Sequence, residues 1–218
     1  MHADERGSDV LLVFARTPIP GQVKTRLFSH LSPEQACALH VAMIEDTLGL
    51  EFPGRRLILF SEEVPDLAMP AGIETGRQSQ GDLGARLAVA IENAFEEGAR
   101  KIVVLGSDTP HLPPERLEQA LDALDRADLV LGPADDGGYY LIGLRRFSAQ
   151  IFAGVEWGSR YVLGQTRCSA EGAGFEVALL EPFFDLDEWA DLGRLKTTPG
   201  APRTRALLTA WEAGPERT

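Results

Sequence analysis

The sequence predicts an α/β fold, a mostly parallel sheet with helices on both faces. Strand-like and helix-like segments alternate through its 218 residues, the order in which such a sheet is built. The run Val10 to Ala15 is continuously apolar, as a strand covered on both faces requires, and Lys101 to Gly106 reads as another buried strand.

Val10 to Ala15 is the first strand. Ser32, Pro33 and Gln35 supply an N-cap, a first-turn proline and a capping-box partner for a helix that turns Ala36, Leu39, Met43, Ile44 and Leu48 inward. Arg56 to Ser61 reads as a strand, Asp82 to Glu97 as a helix closed by Gly98, and Lys101 to Gly106 as a buried strand. Pro113 and Pro114 open a helix through Leu124, and Leu129 to Gly132 and Tyr139 to Leu144 return as strands. A helix from Ser159 to Glu171, a strand from Phe175 to Leu180 and a short helix from Asp187 to Leu195 follow. The chain divides into a polar start at 1–9, expected to be unstructured, a domain over 10–196, and a link and helix over 197–218.

Composition narrows the function. With 21 basic against 33 acidic residues the net charge is -12, which repels a phosphate backbone, so nucleic acid is not an expected partner. Any phosphate must be held locally, by a few cations, oriented amides or a metal. No apolar run reaches the ~18 to 20 residues of a membrane span, and no membrane partner is expected. Cys37 and Cys168 have no metal-spaced neighbours and read as packing thiols in a reducing, cytoplasmic setting. A homodimer is compatible with the composition.

In open α/β sheets ligands bind beyond the carboxyl ends of the strands. After the first strand, the stretch Arg16 to Arg26 holds Gly21 and three cations, Arg16, Lys24 and Arg26, a loop able to face phosphates without Walker A spacing. Asp108 follows the strand ending at Gly106, where a hard cation such as Mg²⁺ or Mn²⁺ finds a carboxylate. Asp135, Asp136, Gly137 and Gly138 join two strands, either as a plain hairpin turn or as a turn whose acids face a substrate. Alternation points Asp185 and Asp187 the same way, so one or both complete the metal site, with Asp187 also expected to cap the next helix. His111 reads as a surface or substrate-edge residue.

In order, the motifs F-A-R-T-P-I-P-G-Q-V-K-T-R-L, G-D-L-G-A-R-L, G-S-D-T-P, D-D-G-G-Y-Y-L-I-G-L and D-L-D-E-W-A-D-L resemble a bacterial domain-of-unknown-function family. That family is named for arsenosugar-biosynthesis-type glycosyltransferases and lies in the nucleotide-diphospho-sugar transferase (GT-A) superfamily. The resemblance implies a Rossmann-like GT-A fold, a metal on Asp108 and Asp187, and Lys24 and Arg26 toward the nucleotide phosphates. It adds Gly81 and Asp82 to Arg16 and Gly21 as nucleotide-binding positions. Thr109, Arg16 and Glu188 depart from the family's usual Cys, Lys and Thr, and Pro110 interrupts the D-x-D of many glycosyltransferases.

The resulting expectation is a metal-dependent transferase that uses a nucleotide or nucleotide-sugar donor and a small-molecule acceptor. Glycosyl transfer leads; nucleotidyl transfer with release of pyrophosphate is the alternative, and a non-catalytic nucleotide sensor the third reading. In either reaction Lys24 and Arg26 stabilise charge on the leaving phosphates, and Asp136, with Asp135 second, acts on the acceptor.

Overall fold

A computed structural model describes residues 8–213. Seven strands, β1 (Val10–Ala15), β2 (Arg55–Phe60), β3 (Ile73–Arg77), β4 (Ile102–Gly106), β5 (Leu129–Pro133), β6 (Tyr139–Leu144) and β7 (Val177–Leu179), form one sheet in the order β3-β2-β1-β4-β6-β5-β7. All neighbours pair in parallel except β6, which runs antiparallel to both β4 and β5. The predicted α/β class and mostly parallel sheet are therefore observed.

Among the described residues six α-helices accompany the sheet: α1 (Pro33–Leu48), α2 (Leu83–Glu96), α3 (Glu115–Ala123), α4 (Val162–Gly172), α5 (Trp189–Leu195) and α6 (Pro202–Ala213). Period-two alternation sends Leu11, Val13 and Ala15 to one face, against Ile44 of α1 and Leu117 and Leu121 of α3. Val10, Leu12 and Phe14 go to the other, against Leu87 and Ile91 of α2 and Ala170 of α4. Both faces being covered explains why β1 is apolar at every position.

Local chemistry sets the helix starts. The Ser32 hydroxyl accepts from Gln35 N while the Gln35 side chain accepts from Ser32 N, the reciprocal cap expected of α1. Asp82 caps α2 by accepting from Ala85 N at 2.8 Å. A third apolar cluster joins Leu39 and Met43 of α1 to Leu192 and Leu195 of α5, with Leu207, Leu208 and Trp211 of α6 against it. Asp46, buried on α1, accepts from Arg203 N, Thr204 N and Thr204 Oγ1 at the start of α6, fixing that helix to α1.

Three expectations need correction. β3 has the burial pattern of an exposed edge strand and carries no apolar run to announce it. Of the start at 1–9, residues 1–7 lie outside the described residues, but Asp9 is anchored: its carbonyl accepts from Arg55 N at 3.0 Å and its carboxylate pairs with Arg100. His111 is not at the surface. It is 1% exposed, packed between Phe183 and Phe184 at 4.8 and 4.4 Å.

Candidate active site

Parallel pairing brings the carboxyl ends of four strands to one edge. Ala15 pairs with Phe60, Phe14 with Gly106 and Phe60 with Arg77, so Arg16, Ser61, Asp108 and Gln78 follow side by side. A cleft of about 410 Å³ opens there, within the range of small-molecule sites. Arg16, Lys24, Arg26, Arg86, Asp108 and Asp187 all line it.

Lys24 organises the cleft. Its backbone is left-handed, with φ 48°, which is uncommon for a residue with a Cβ. Its side chain is 4% exposed, and Nζ lies 2.6 Å from Asp108 Oδ1, 2.8 Å from Asp187 Oδ1 and 2.8 Å from the Leu186 carbonyl. An ammonium has three hydrogens, so all its donors are engaged. Burial alone would lower the Lys24 pKa, but the two carboxylates overcome it and hold the ammonium above the usual lysine value. Burial would likewise raise Asp108, yet Lys24 outweighs it and keeps the carboxyl below its ordinary value.

The other predicted binding residues fall into two groups. Arg26 is 66% exposed on its side chain and stands 3.7 Å from Asp187 Oδ2, while Arg16 lines the cleft from the first loop. Gly21 has φ +85°, the turn that reverses this loop. Gly81, Arg16 and Arg86 border an adjoining hollow, and Gly81 takes φ +117°, whereas the Asp82 carboxylate is spent on capping α2.

Asp135 and Asp136 are not among the residues lining the cleft. They occupy the tip of the β5–β6 hairpin, where Asp136 Oδ1 accepts from Gly138 N at 2.8 Å and Asp135 pairs with Arg194 at 3.0 Å. The hairpin reading of this turn is thus realised. Gly137, at φ +89°, is needed there, since a Cβ would come within 2.2 Å of the Arg160 carbonyl. Asp187 does not cap α5 as expected. Glu188 is the cap, paired reciprocally with Asp191, and this leaves the Asp187 carboxylate to Lys24.

Several cleft residues escaped the sequence reading. Gln78, 6% exposed, donates through Nε2 to the carbonyls of Ala15 and Leu59, tying β1 to β2, and its Oε1 accepts from Arg86 Nη1 at 2.9 Å. Arg86 is thereby aimed at the cleft. His40, 3% exposed, donates from Nε2 to the Arg16 carbonyl at 3.0 Å, and burial lowers its pKa, so it is a neutral support for the first loop. Gln78 was invisible because β3 was; the G-D-L-G-A-R-L motif did contain Arg86.

Asp108 and Asp187 present two carboxylates to the cleft as donors for a divalent ion. Among the described residues no group of three or more His, Cys, Asp or Glu is arranged to hold a metal. Mg²⁺, however, takes one or two carboxylates and completes its shell with phosphate and water, a requirement that Asp108 and Asp187 meet. Asp185 lies close by; burial first, then Asp108, Asp187 and Asp136, push its pKa up to about 8. Asp108 and Asp187 are two carboxylates facing the single ammonium of Lys24, so the donor set suits an added cation.

Residues 44–159 match the model of a family described as an uncharacterized protein conserved in bacteria (DUF2064). The chain belongs to this family. A DUF2064 chain thus carries the cleft, and its likeness to known proteins is consistent with a nucleotide-handling fold. A solved structure from Desulfovibrio desulfuricans G20, described as a nucleotide-diphospho-sugar transferase, is 32% identical, with a TM-score of 0.84 over 94% of this chain and 95% of that one. The 2-phospho-L-lactate guanylyltransferase of Methanothermobacter thermautotrophicus is 32% identical over 126 residues, so the chain spans only 56% of that relative's length. The phosphoenolpyruvate guanylyltransferase of Chloroflexus aggregans is 27% identical over 81% of this chain and 88% of that protein. None of these three carries the arsenosugar name expected from the motifs. Among the described residues no helix is long and apolar enough to cross a membrane.

Proposed function

We propose that this protein is a nucleotidyltransferase that moves a nucleoside monophosphate from a nucleoside triphosphate to a small phosphorylated acid and releases pyrophosphate. The observation that carries the proposal is the set of four cations, Arg16, Lys24, Arg26 and Arg86, lining one cleft of a protein whose net charge is -12. A leaving pyrophosphate concentrates negative charge, and preorganised cations act most strongly where charge develops. The guanylyltransferase relatives support the same reading, and their names point to phosphorylated carboxylic acids as the acceptor class and guanine as the first base to try.

In this reading an acceptor phosphate oxygen bonds to the α-phosphorus while the bond from that phosphorus to the oxygen bridging to the β-phosphate breaks. Arg16 and Arg26 receive the departing pyrophosphate. Arg86, held by Gln78, keeps three N–H groups for the nucleotide, because only Nε and one hydrogen of Nη1 are engaged. A divalent ion, Mg²⁺ or Mn²⁺, held by Asp108 and Asp187 would neutralise the phosphates. An acceptor phosphate is already ionised at neutral pH and needs no general base. Asp136 and Asp135, the acceptor-side candidates of the motifs, then act on no reacting atom: their carboxylates serve the hairpin turn and Arg194.

Glycosyl transfer, the leading expectation from the motifs, is the second reading and is favoured by the Desulfovibrio structure. The test is to supply each nucleoside triphosphate and a set of nucleotide sugars with Mg²⁺ and phosphorylated acids, following pyrophosphate and nucleoside diphosphate in parallel. Pyrophosphate release matched to acceptor consumption is expected. Nucleoside diphosphate from a nucleotide sugar would make the protein a glycosyltransferase, and binding with neither product a nucleotide sensor.

A further inference from the structure

We infer that Lys24 is an internal counter-cation that occupies the divalent-metal position in the free protein, so that metal enters only when nucleotide phosphates draw the ammonium away. This rests on the proposed site at Asp108 and Asp187, and adds to it an order of binding that the reaction alone does not require.

The geometry is specific. Nζ sits within 2.8 Å of one oxygen from each carboxylate, and a metal shared by the same two oxygens, bonding at about 2.1 Å, would need the same space. A divalent ion and an ammonium cannot both stand there, since they would overlap in space and carry like charge. Nor can Lys24 serve the phosphates from where it is: its three hydrogens go to Asp108, Asp187 and the Leu186 carbonyl. A lysine that binds phosphate must first release a partner, and releasing it uncovers the two acids.

Three features suit Lys24 to that exchange. The left-handed backbone at φ 48° turns the side chain inward from a flexible four-carbon stem, while the exposed Arg26 and Arg16 are already placed to attract the incoming phosphates. The acids themselves are held in place whatever Lys24 does, because Leu186 N donates to the Asp108 carbonyl at 2.8 Å and Asp191 fixes the Asp187 amide. Finally, the Lys24 side chain is only 4% exposed and all three ammonium hydrogens have partners, so the plug holds until it is displaced. Nucleotide and metal are then coupled ligands: each binds better with the other present.

The experiment measures Mn²⁺ binding to the full chain without nucleotide, by loss of the free-ion electron paramagnetic resonance signal. Wild type is expected to bind Mn²⁺ weakly, and Lys24→Met at least roughly tenfold more tightly, because the acids lose their internal partner. The gain should vanish when Asp108→Asn is added. Lys24→Gln, which keeps a donor for Leu186, is measured alongside and replaces Lys24→Met if that variant does not fold in metal-free buffer. Equal Mn²⁺ affinity in wild type and the folded Lys24 variant would overturn the inference, as would a gain that survives Asp108→Asn. Because no nucleotide or turnover enters the measurement, tight Mn²⁺ binding by Lys24→Met together with no product from any triphosphate would sink the proposed reaction and leave this inference standing.

Discussion

The backbone amide of Leu186 donates to the carbonyl of Asp108 across 2.8 Å, joining the turn after β4 to the segment before α5. Two acids separated by most of the C-terminal half of the chain are thereby brought to one ammonium. The bond is made by main chain, so the pairing does not depend on side-chain charge, and substitutions of the acids test chemistry with little effect on the frame.

Asp108→Asn should leave folding intact, since Lys24 retains Asp187 and the Leu186 carbonyl. Nucleotide binding in the presence of Mg²⁺ should weaken by at least roughly tenfold, because the ion loses one of its two charged ligands. Titration calorimetry with and without Mg²⁺ checks this. An unchanged dissociation constant would exclude Asp108 as a ligand.

Arg26→Ala should separate the two reactions. The side chain is two-thirds exposed and its ion pair with Asp187 is long at 3.7 Å, so thermal stability should hardly change. In nucleotidyl transfer kcat should fall roughly 10²-fold with KM little altered, as for a group that acts on the leaving phosphates. A rise in KM alone would instead indicate uniform binding of a nucleotide sugar.

Asp46→Ala should destabilise the fold without touching the cleft. The carboxylate accepts three hydrogen bonds from Arg203 and Thr204, all at the buried start of α6. Loss of a helix cap together with buried charged hydrogen bonds costs about 2 to 4 kcal/mol. A lowered urea midpoint with unchanged nucleotide affinity is the expected outcome.

His111 should make stability fall on the acid side. Burial, aided by Arg194 and opposed by Asp191, lowers its pKa to about 4, while in the unfolded chain it titrates near 6.5. Below about pH 6.5 the unfolded chain takes up a proton that the folded chain refuses. Stability is therefore lost as pH falls from 6.5 toward 4 and levels off below, by about 3 kcal/mol in all. His111→Phe should remove that share. Urea midpoints for both proteins at pH 7 and pH 5 measure it, and identical slopes would refute the assignment.

Where local chemistry decides an element, the sequence alone was enough. Val10 to Ala15 and Tyr139 to Leu144 were delimited to the residue, because strands buried on both faces must be apolar throughout and end where polar turns begin. Ser32 and Gln35 announced α1, because a capping box is a contact between residues three apart. The motifs likewise named Lys24, Arg26, Asp108 and Asp187, which line one cleft.

Tertiary structure decided the rest. β3 is recognisable only by pairing with β2, and with it came Gln78, whose role is to join strands and aim Arg86. His111 lost its expected place at the surface because Phe183 and Phe184, over seventy residues away, close around it. Composition and spacing report which groups a chain owns, and short-range bonds follow from them. Whether Lys24 faces a phosphate or two carboxylates depends on what the fold sets within 3 Å of its ammonium, and in the free protein the carboxylates and the Leu186 carbonyl take every hydrogen it has.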